Sequence, residues 1–315
     1  MANTNAIEID QISKHYPSQP EGQMALRMLS FQVKTGSLFG LVGPDGAGKT
    51  SLMRILATVI LPNSGSAAIG GYDVVHQAEK VHPLIGYIPQ NFSLYPDLTV
   101  AENLEFFADI NEVPVSERQA RFGRLLAFTN LEKYSDRRSL NLSGGMRKKL
   151  ALACALVHQP QVLLLDEPTT GVDPISRREF WNILSELALN GVTIFLSTPY
   201  MDEAERCQSI GLIQKGELLR VSEPKTLAAE LPFEVLELTV KDLDKARKVL
   251  EPLPQINGCR IVGDRMRIQA AHVKPAEKAI ETALGYAGLG DFHVRQVHKT
   301  MEDVFLHITG DSHEH

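Results

Sequence analysis

The chain has 315 residues, a net charge of −6 at pH 7 and 22% charged residues. That is material for one large or two modest domains with a real core, too rich in apolar residues for a disordered chain. The acidic balance gives no reason to expect nucleic-acid binding by bulk electrostatics. Cys154, Cys207 and Cys259 are odd in number, far apart and in no metal-ligand spacing, so they read as reduced, mostly buried thiols.

In chain order, "MANTNAIEID" has neither a positive start nor an apolar h-region, so no signal peptide is expected there. Strand-like and helical patterns then alternate to about residue 225, which predicts an α/β domain with a largely parallel sheet. The strand "LFGLVG" runs into "GPDGAGKT", Gly43–Thr50, which fits G-x-x-x-x-G-K-[ST] in the strand-before, helix-after context that the motif requires. Glycines let backbone N–H groups curl around a phosphate, and the helix N-terminus adds its positive dipole end. In such a loop Lys49 reaches the β- and γ-phosphates and the Thr50 hydroxyl binds Mg2+. The helix that follows carries Leu52, Ile55, Leu56 and Val59, the i, i+3, i+4, i+7 set of one buried face.

Residues 97–158 are mostly helical by pattern and read as an inserted helical lobe. The apolar run "LALACALV" within it has eight residues, against ~18 for a membrane helix, so no bilayer span is expected. "NLSGGMRKKL", Asn141–Leu150, places Ser143 and two glycines before a helix with basic first turns, a second helix N-terminus receptive to phosphate. It stands 19 residues ahead of "VLLLDEP", a buried strand that ends in two acids. Asp166 is placed to hold Mg2+, and Glu167 could accept a hydrogen bond from an attacking water. Phe180, Ile183, Leu184 and Leu187 mark the buried face of the next helix, with Trp181 as core or helix surface rather than a ligand platform.

Around Ser222–Pro232 the pattern breaks and a second unit begins. A strand over Phe233–Val240, a helix over Lys241–Leu250, a hairpin over Cys259–Gln269 turning at Gly263–Asp264, a helix over Pro275–Leu284 and a strand over Phe292–His298 follow. The order β-α-β-β-α-β is that of a ferredoxin-like unit. His76, His82 and His158 show no ligand spacing and read as surface or loop residues, and the closing His-Glu-His reads as a frayed tail.

Taken together, "GPDGAGKT", Gln90 in "GYIPQ", "LSGGM", "VLLLDEP" and "GVDP" (Gly171–Pro174) resemble the ATP-binding-cassette (ABC) ATPases over about residues 5–225. The ending "HKTMEDVFLHITG" looks like bacterial export ATPases of the drug-resistance type, and "STPYMDEAERC" resembles the N-terminal half of exporters that fuse two cassettes. The resemblance implies a P-loop NTPase cassette over 1–225, the helical lobe within it, and a small ferredoxin-like α+β domain over 233–310. It also implies an ATP-hydrolysing, energy-coupling subunit of a membrane export system, sitting cytoplasmically on the inner face of the membrane against a polytopic permease.

In the implied head-to-tail dimer each ATP and its Mg2+ take Gly43, Pro44, Asp45, Gly46, Ala47, Gly48, Lys49, Thr50, Ser51, Gln90, Asp166 and Glu167 from one chain. Thr50, Gln90 and Asp166 would face the metal and Glu167 would be catalytic. Ser143, Gly144 and Gly145 come from the opposite chain, Asp173 lies at the seam, and Tyr16 is the candidate to stack on adenine. Two departures stand out: Met146 replaces the usual glutamine of the signature, and Pro199 replaces the histidine that touches the terminal phosphate. The second implies an impaired site, and favours a heterologous partner cassette over a homodimer. A soluble ABC ATPase acting on ribosomes or DNA, and a non-hydrolysing regulatory ATP-binding module, remain the alternatives.

Overall fold

The computed structural model describes residues 4–17, 23–91 and 94–310; the terminal His-Glu-His lies outside them. The chain divides into two compact units between Ser222 and Glu223. The first runs β1 (Asn5–Lys14), β2 (Leu26–Lys34), β3 (Leu38–Val42), α1 (Lys49–Leu56), β4 (Ser64–Ile69) and β5 (Tyr72–Asp73). It continues with α2 (Ala78–Val81), β6 (Ile85–Ile88), α3 (Val100–Ile110), α4 (Val115–Thr129) and α5 (Gly144–Leu156). Then come β7 (Val162–Asp166), α6 (Pro174–Leu189), β8 (Thr193–Thr198), α7 (Met201–Ala204), β9 (Ser209–Gln214) and β10 (Glu217–Ser222).

Two sheets result. One is antiparallel, in the order β2-β1-β4-β5; the other, in the order β10-β9-β3-β8-β7-β6, is parallel except at its β9–β10 edge. Every residue of β3, β7 and β8 is buried, as expected of parallel strands covered on both faces. Phe31 of β2 stacks on Phe39 of β3 at 5.3 Å between centroids, and Phe39 on Phe195 of β8 at 5.5 Å, so an aromatic column joins the sheets. The parallel arrangement has a consequence for chemistry: the C-terminal ends of β3, β7 and β8 all point the same way, and the loops that follow them converge.

Helix α1 buries Leu52, Ile55 and Leu56, but Val59 corrects the sequence reading. The helix stops at Leu56, Thr58 takes a positive φ of 60°, and Val59 is left 60% exposed. Pro62 lies too close ahead for another helical turn to form, so the apolar spacing outruns the backbone. His158 lies in the turn after α5, within the surface-or-loop expectation, and is half-buried: its Nε2 lies 2.9 Å from the Ile85 carbonyl oxygen, and burial pulls its pKa below the ordinary value. Helices α3 and α5 pack around Val100, Leu104, Leu131, Leu142 and Leu150. Thr99 and Glu102 form a capping box that starts α3.

The second unit opens with α8 (Pro224–Glu230), a helix within the stretch where the sequence pattern breaks. It then follows β11 (Glu234–Val240), α9 (Leu243–Leu250), β12 (Gly258–Val262), β13 (Arg265–Ala270), α10 (Val273–Tyr286), β14 (Phe292–Val297) and α11 (Met301–Thr309). The sheet is antiparallel throughout in the order β12-β13-β11-β14, the ferredoxin-like arrangement. Leu236, Leu238, Met266 and Ile268 from alternate strand positions meet Ala246, Leu250, Ile280 and Leu284 from α9 and α10. Asp303 caps α11 through Thr300 and pairs with Arg267 at 2.7 Å. Among the described residues no helix is long and apolar enough to cross a membrane.

Candidate nucleotide site

The loop Gly43–Gly48 leaves the end of β3 and turns into α1 at Lys49. Two of its glycines are dictated by space and backbone. A Cβ on Gly43 would stand 2.0 Å from the Ile213 carbonyl oxygen, and one on Gly48, at φ +106°, 2.3 Å from that of Ala25. The Lys49 side chain is 3% exposed, with Nζ donating to the Gly43 and Pro44 carbonyls at 2.8 and 3.0 Å and lying 3.4 Å from Glu167 Oε1. Asp45 is mostly solvent-exposed, 4.0 Å from the ammonium. The next residue, Thr50, donates its hydroxyl to Asp166 Oδ1 at 3.2 Å.

Asp166, at the end of β7, is fully buried. Its Oδ1 also accepts from the Ser197 hydroxyl at 2.5 Å, while Oδ2 is buried with no hydrogen-bond partner. A buried carboxylate oxygen left without a donor is costly in isolation and is what a bound cation would satisfy. With the Thr50 hydroxyl alongside, the donor set is hard oxygen, which suits Mg2+. The charge of Asp166 is felt at Tyr87, whose phenol is pushed up to about 12, first by burial and then by Asp166.

Glu167 is 6% exposed and takes φ +48°, a left-handed conformation that is strained for a non-glycine residue. Its N–H donates to the Ser197 carbonyl and hydroxyl oxygens of β8, which hold the strained turn in place. Its Oε2 accepts from the Gln90 amide at 3.0 Å. Gln90 thus turns its amide N–H toward Glu167. The buried Lys148 of α5 feels the same two acids: burial pulls its pKa down and the charges of Glu167 and Asp166 pull it back.

A cleft of about 420 Å3 opens over these groups, with Tyr16, Ala25, Gly48, Lys49, Thr50 and Glu167 in its wall. The Tyr16 hydroxyl donates to Ser51 Oγ at 3.1 Å, which fixes the ring at the rim. Gly43–Ser51, Tyr16, Gln90, Asp166 and Glu167 therefore come together in one place.

Ser143, Gly144 and Gly145 do not line that cleft. Ser143 is exposed and caps α5, accepting from Met146 N–H at 3.2 Å. This turn packs on the start of α6, where a Cβ on Gly145 would stand 2.5 Å from Ser176 Oγ and 3.7 Å from Asp173 Oδ2. Asp173 caps α6, and hydrogen bonds from Ser176 hold its carboxyl below the usual range. Pro199 follows the last residue of β8, Thr198, whose carbonyl accepts from Gly43 N–H at 3.3 Å, so residue 199 borders the phosphate loop.

A model of the ABC transporter family matches residues 26–170. The Nod factor export ATP-binding protein I of Burkholderia thailandensis is 37% identical over 308 residues, covering 96% of this chain and 97% of that protein. The chain belongs to the ABC transporter family. The daunorubicin resistance ATP-binding protein of Streptomyces coeruleorubidus is 34% identical over 315 residues, 98% of its length. The Probable multidrug ABC transporter ATP-binding protein YbhF of Escherichia coli is 40% identical over 311 residues; this chain spans about half of it, 53%. Among solved structures, a dimeric ATP-binding cassette in a post-hydrolysis state with ADP and Pi matches with a TM-score of 0.63 at 26% identity. That match covers 69% of this chain and 98% of the other.

Behind the site this chain carries one buried acid that sequence reading passed over. Glu203 sits in a run of charges, "MDEAER", where nothing about the residue itself separates it from exposed Asp202 and Glu205. The available signal was its position beside Ala204 and Cys207, which are also buried. The Gly48 geometry carries an expected outcome for the cassette. Gly48→Ala should strain the loop by about 1–3 kcal/mol and lower the thermal midpoint of the chain without nucleotide. It should also weaken equilibrium ATP binding by about ten-fold or more; binding equal to wild type would refute the close approach as a constraint.

Proposed function

We propose that this chain is the ATP-binding, ATP-hydrolysing subunit that energises a membrane ABC export system, with a slow site of its own. The observation that carries the reading is the convergence of Lys49, Thr50 and Glu167 on one cleft, with Asp166 behind Thr50 and Pro199 rather than a histidine beside the phosphate loop. In this reading the loop amides and Lys49 hold the phosphates, Tyr16 stacks on adenine, and Gln90 and Glu167 hold the attacking water. Thr50, Gln90 and Asp166 would hold Mg2+, which when bound neutralises charge on the β- and γ-phosphates. Lys49 moves from Glu167 and the loop carbonyls onto phosphate, which frees Glu167 to accept the water's hydrogen bond.

Ser143–Gly145 serve a second cassette. The exposure of Ser143 at the start of α5, away from this chain's cleft, supports that role, as does the dimeric state of a solved relative. Asp173, beside them, lies at the seam. The missing donor at Pro199 favours a partner cassette with its own histidine, although a homodimer fits the same surfaces. The names of the relatives support export. Placement on the inner membrane face follows from binding a polytopic permease rather than from any span in this chain.

The test is capture of the tagged full chain from its own cells in mild detergent. Co-purification of a polytopic membrane protein, and of a second cassette, is the expected result. A chain recovered only with ribosomes or DNA, in a salt-sensitive manner, would overturn the reading.

A further inference from the structure

We infer that Glu203 is a positioning residue of the ATPase reaction, tying the segment that carries Pro199 to α6 and to the turn that carries Glu167. The inference rests on the reading of Glu167 as the water-polarising carboxylate. Glu203 is wholly buried, and its two oxygens gather donors from three separate segments. Oε1 accepts from the Thr169 hydroxyl at 2.5 Å, from Arg177 Nε at 2.8 Å and from Trp181 Nε1 at 3.2 Å. Oε2 accepts from the Thr198 hydroxyl at 2.6 Å.

Each of those segments borders the site. Thr169 lies in the turn after Glu167, which Thr170 N–H closes onto the Glu167 carbonyl at 3.3 Å. Arg177 and Trp181 belong to α6, the helix that begins at Asp173 against the Ser143–Gly145 turn. Thr198 precedes Pro199, and its carbonyl is bonded to Gly43 N–H. Arg177 reaches the same segment twice more: its guanidinium stands over the Tyr200 ring at 4.9 Å and donates to both Asp202 oxygens at 3.0 and 2.8 Å.

A carboxylate taken fully out of water is costly unless paired and saturated with donors, and here it is both. Its saturation is possible only when the three segments hold their present spacing. Displacement of α6 at the dimer seam is therefore transmitted to the backbone around residue 199 and to the Glu167 turn. A carboxylate that served folding alone would have no reason to draw every donor from segments that flank the reaction.

The test uses the full chain carrying Glu203→Gln, with equilibrium ATP·Mg2+ binding and steady-state turnover measured together. ATP Kd is expected within about two-fold of wild type and kcat about ten-fold lower, the signature of a loss confined to the transition state. Pro199→His, which raises kcat in the wild-type background, is expected to raise it less than about two-fold beside Glu203→Gln, because coupled residues are not additive. Thr198→Val removes one donor and leaves Arg177 in place; it decides the matter should Glu203→Gln fail to fold, with a kcat loss of about three-fold or more at unchanged Kd. Turnover within about two-fold of wild type in the folded variants, or a parallel loss of binding and turnover, overturns the inference. If Pro199→His brings no gain in the wild-type background, the impaired-site reading falls by itself, and the kcat loss at constant Kd still decides for the positioning role.

Discussion

Glu167→Gln is expected to lower ATP turnover by about 10²–10⁴-fold while the chain still binds ATP. The substitution keeps the shape of the side chain and one carbonyl oxygen for the Gln90 amide, so the strained turn at φ +48° has no new reason to move. What disappears is the negative charge. Without it the residue accepts a hydrogen bond from water only weakly, and proton transfer from the attacking water loses its driving force. The same loss removes the anion 3.4 Å from the Lys49 ammonium and leaves the loop carbonyls and exposed Asp45 as its partners, so less holds that cation away from phosphate and ATP affinity should be equal or higher. Single-turnover hydrolysis of radiolabelled ATP, with equilibrium binding in parallel, reads both effects. Turnover unchanged from wild type would show that another group polarises the water.

Pro199→His is expected to raise kcat by up to about 10²–10³-fold, the worth of one charge-stabilising donor in a transition state. Geometry makes the gain plausible in physical terms. The Thr198 carbonyl is already bonded to Gly43 N–H, so residue 199 begins beside the phosphate loop, and the Thr198 hydroxyl holds the chain on the far side through Tyr200 N–H and Glu203. An imidazole there starts from a fixed backbone, with little entropy left to lose. Proline offers neither ring nitrogen nor backbone N–H. ATP affinity should change little, because Lys49 and the loop are untouched. Brisk hydrolysis by the wild-type chain, or no gain in the histidine variant, would remove the case for an asymmetric pair of sites.

Much of this was legible one residue at a time. Gly43–Thr50, the two acids closing "VLLLDEP" and the serine-glycine turn announce themselves because their chemistry depends on residue type at fixed local spacing. The β-α-β-β-α-β order of the second unit was legible for a similar reason, since alternation along each strand reports which face is buried. Where local spacing misled, the backbone had turned. Val59 continues the apolar repeat of α1, but Thr58 at φ 60° and the nearby Pro62 end the helix first. His158 could be read only as a surface or loop residue, because nothing local says that β6 will offer it the Ile85 carbonyl.

The sequence by itself determined the fold class, the phosphate loop, the carboxylate pair and the absence of an imidazole at residue 199. These follow from short-range patterns that few other arrangements can satisfy. Only the tertiary structure decided that Lys49 and Gln90 occupy both oxygens of Glu167, that Asp166 keeps one oxygen free for a cation, and that Glu203 joins three segments. The physical reason is distance along the chain. Those contacts link segments more than a hundred residues apart in the extreme case of Lys49 and Glu167, and they exist only once the parallel sheet aligns its C-terminal edges.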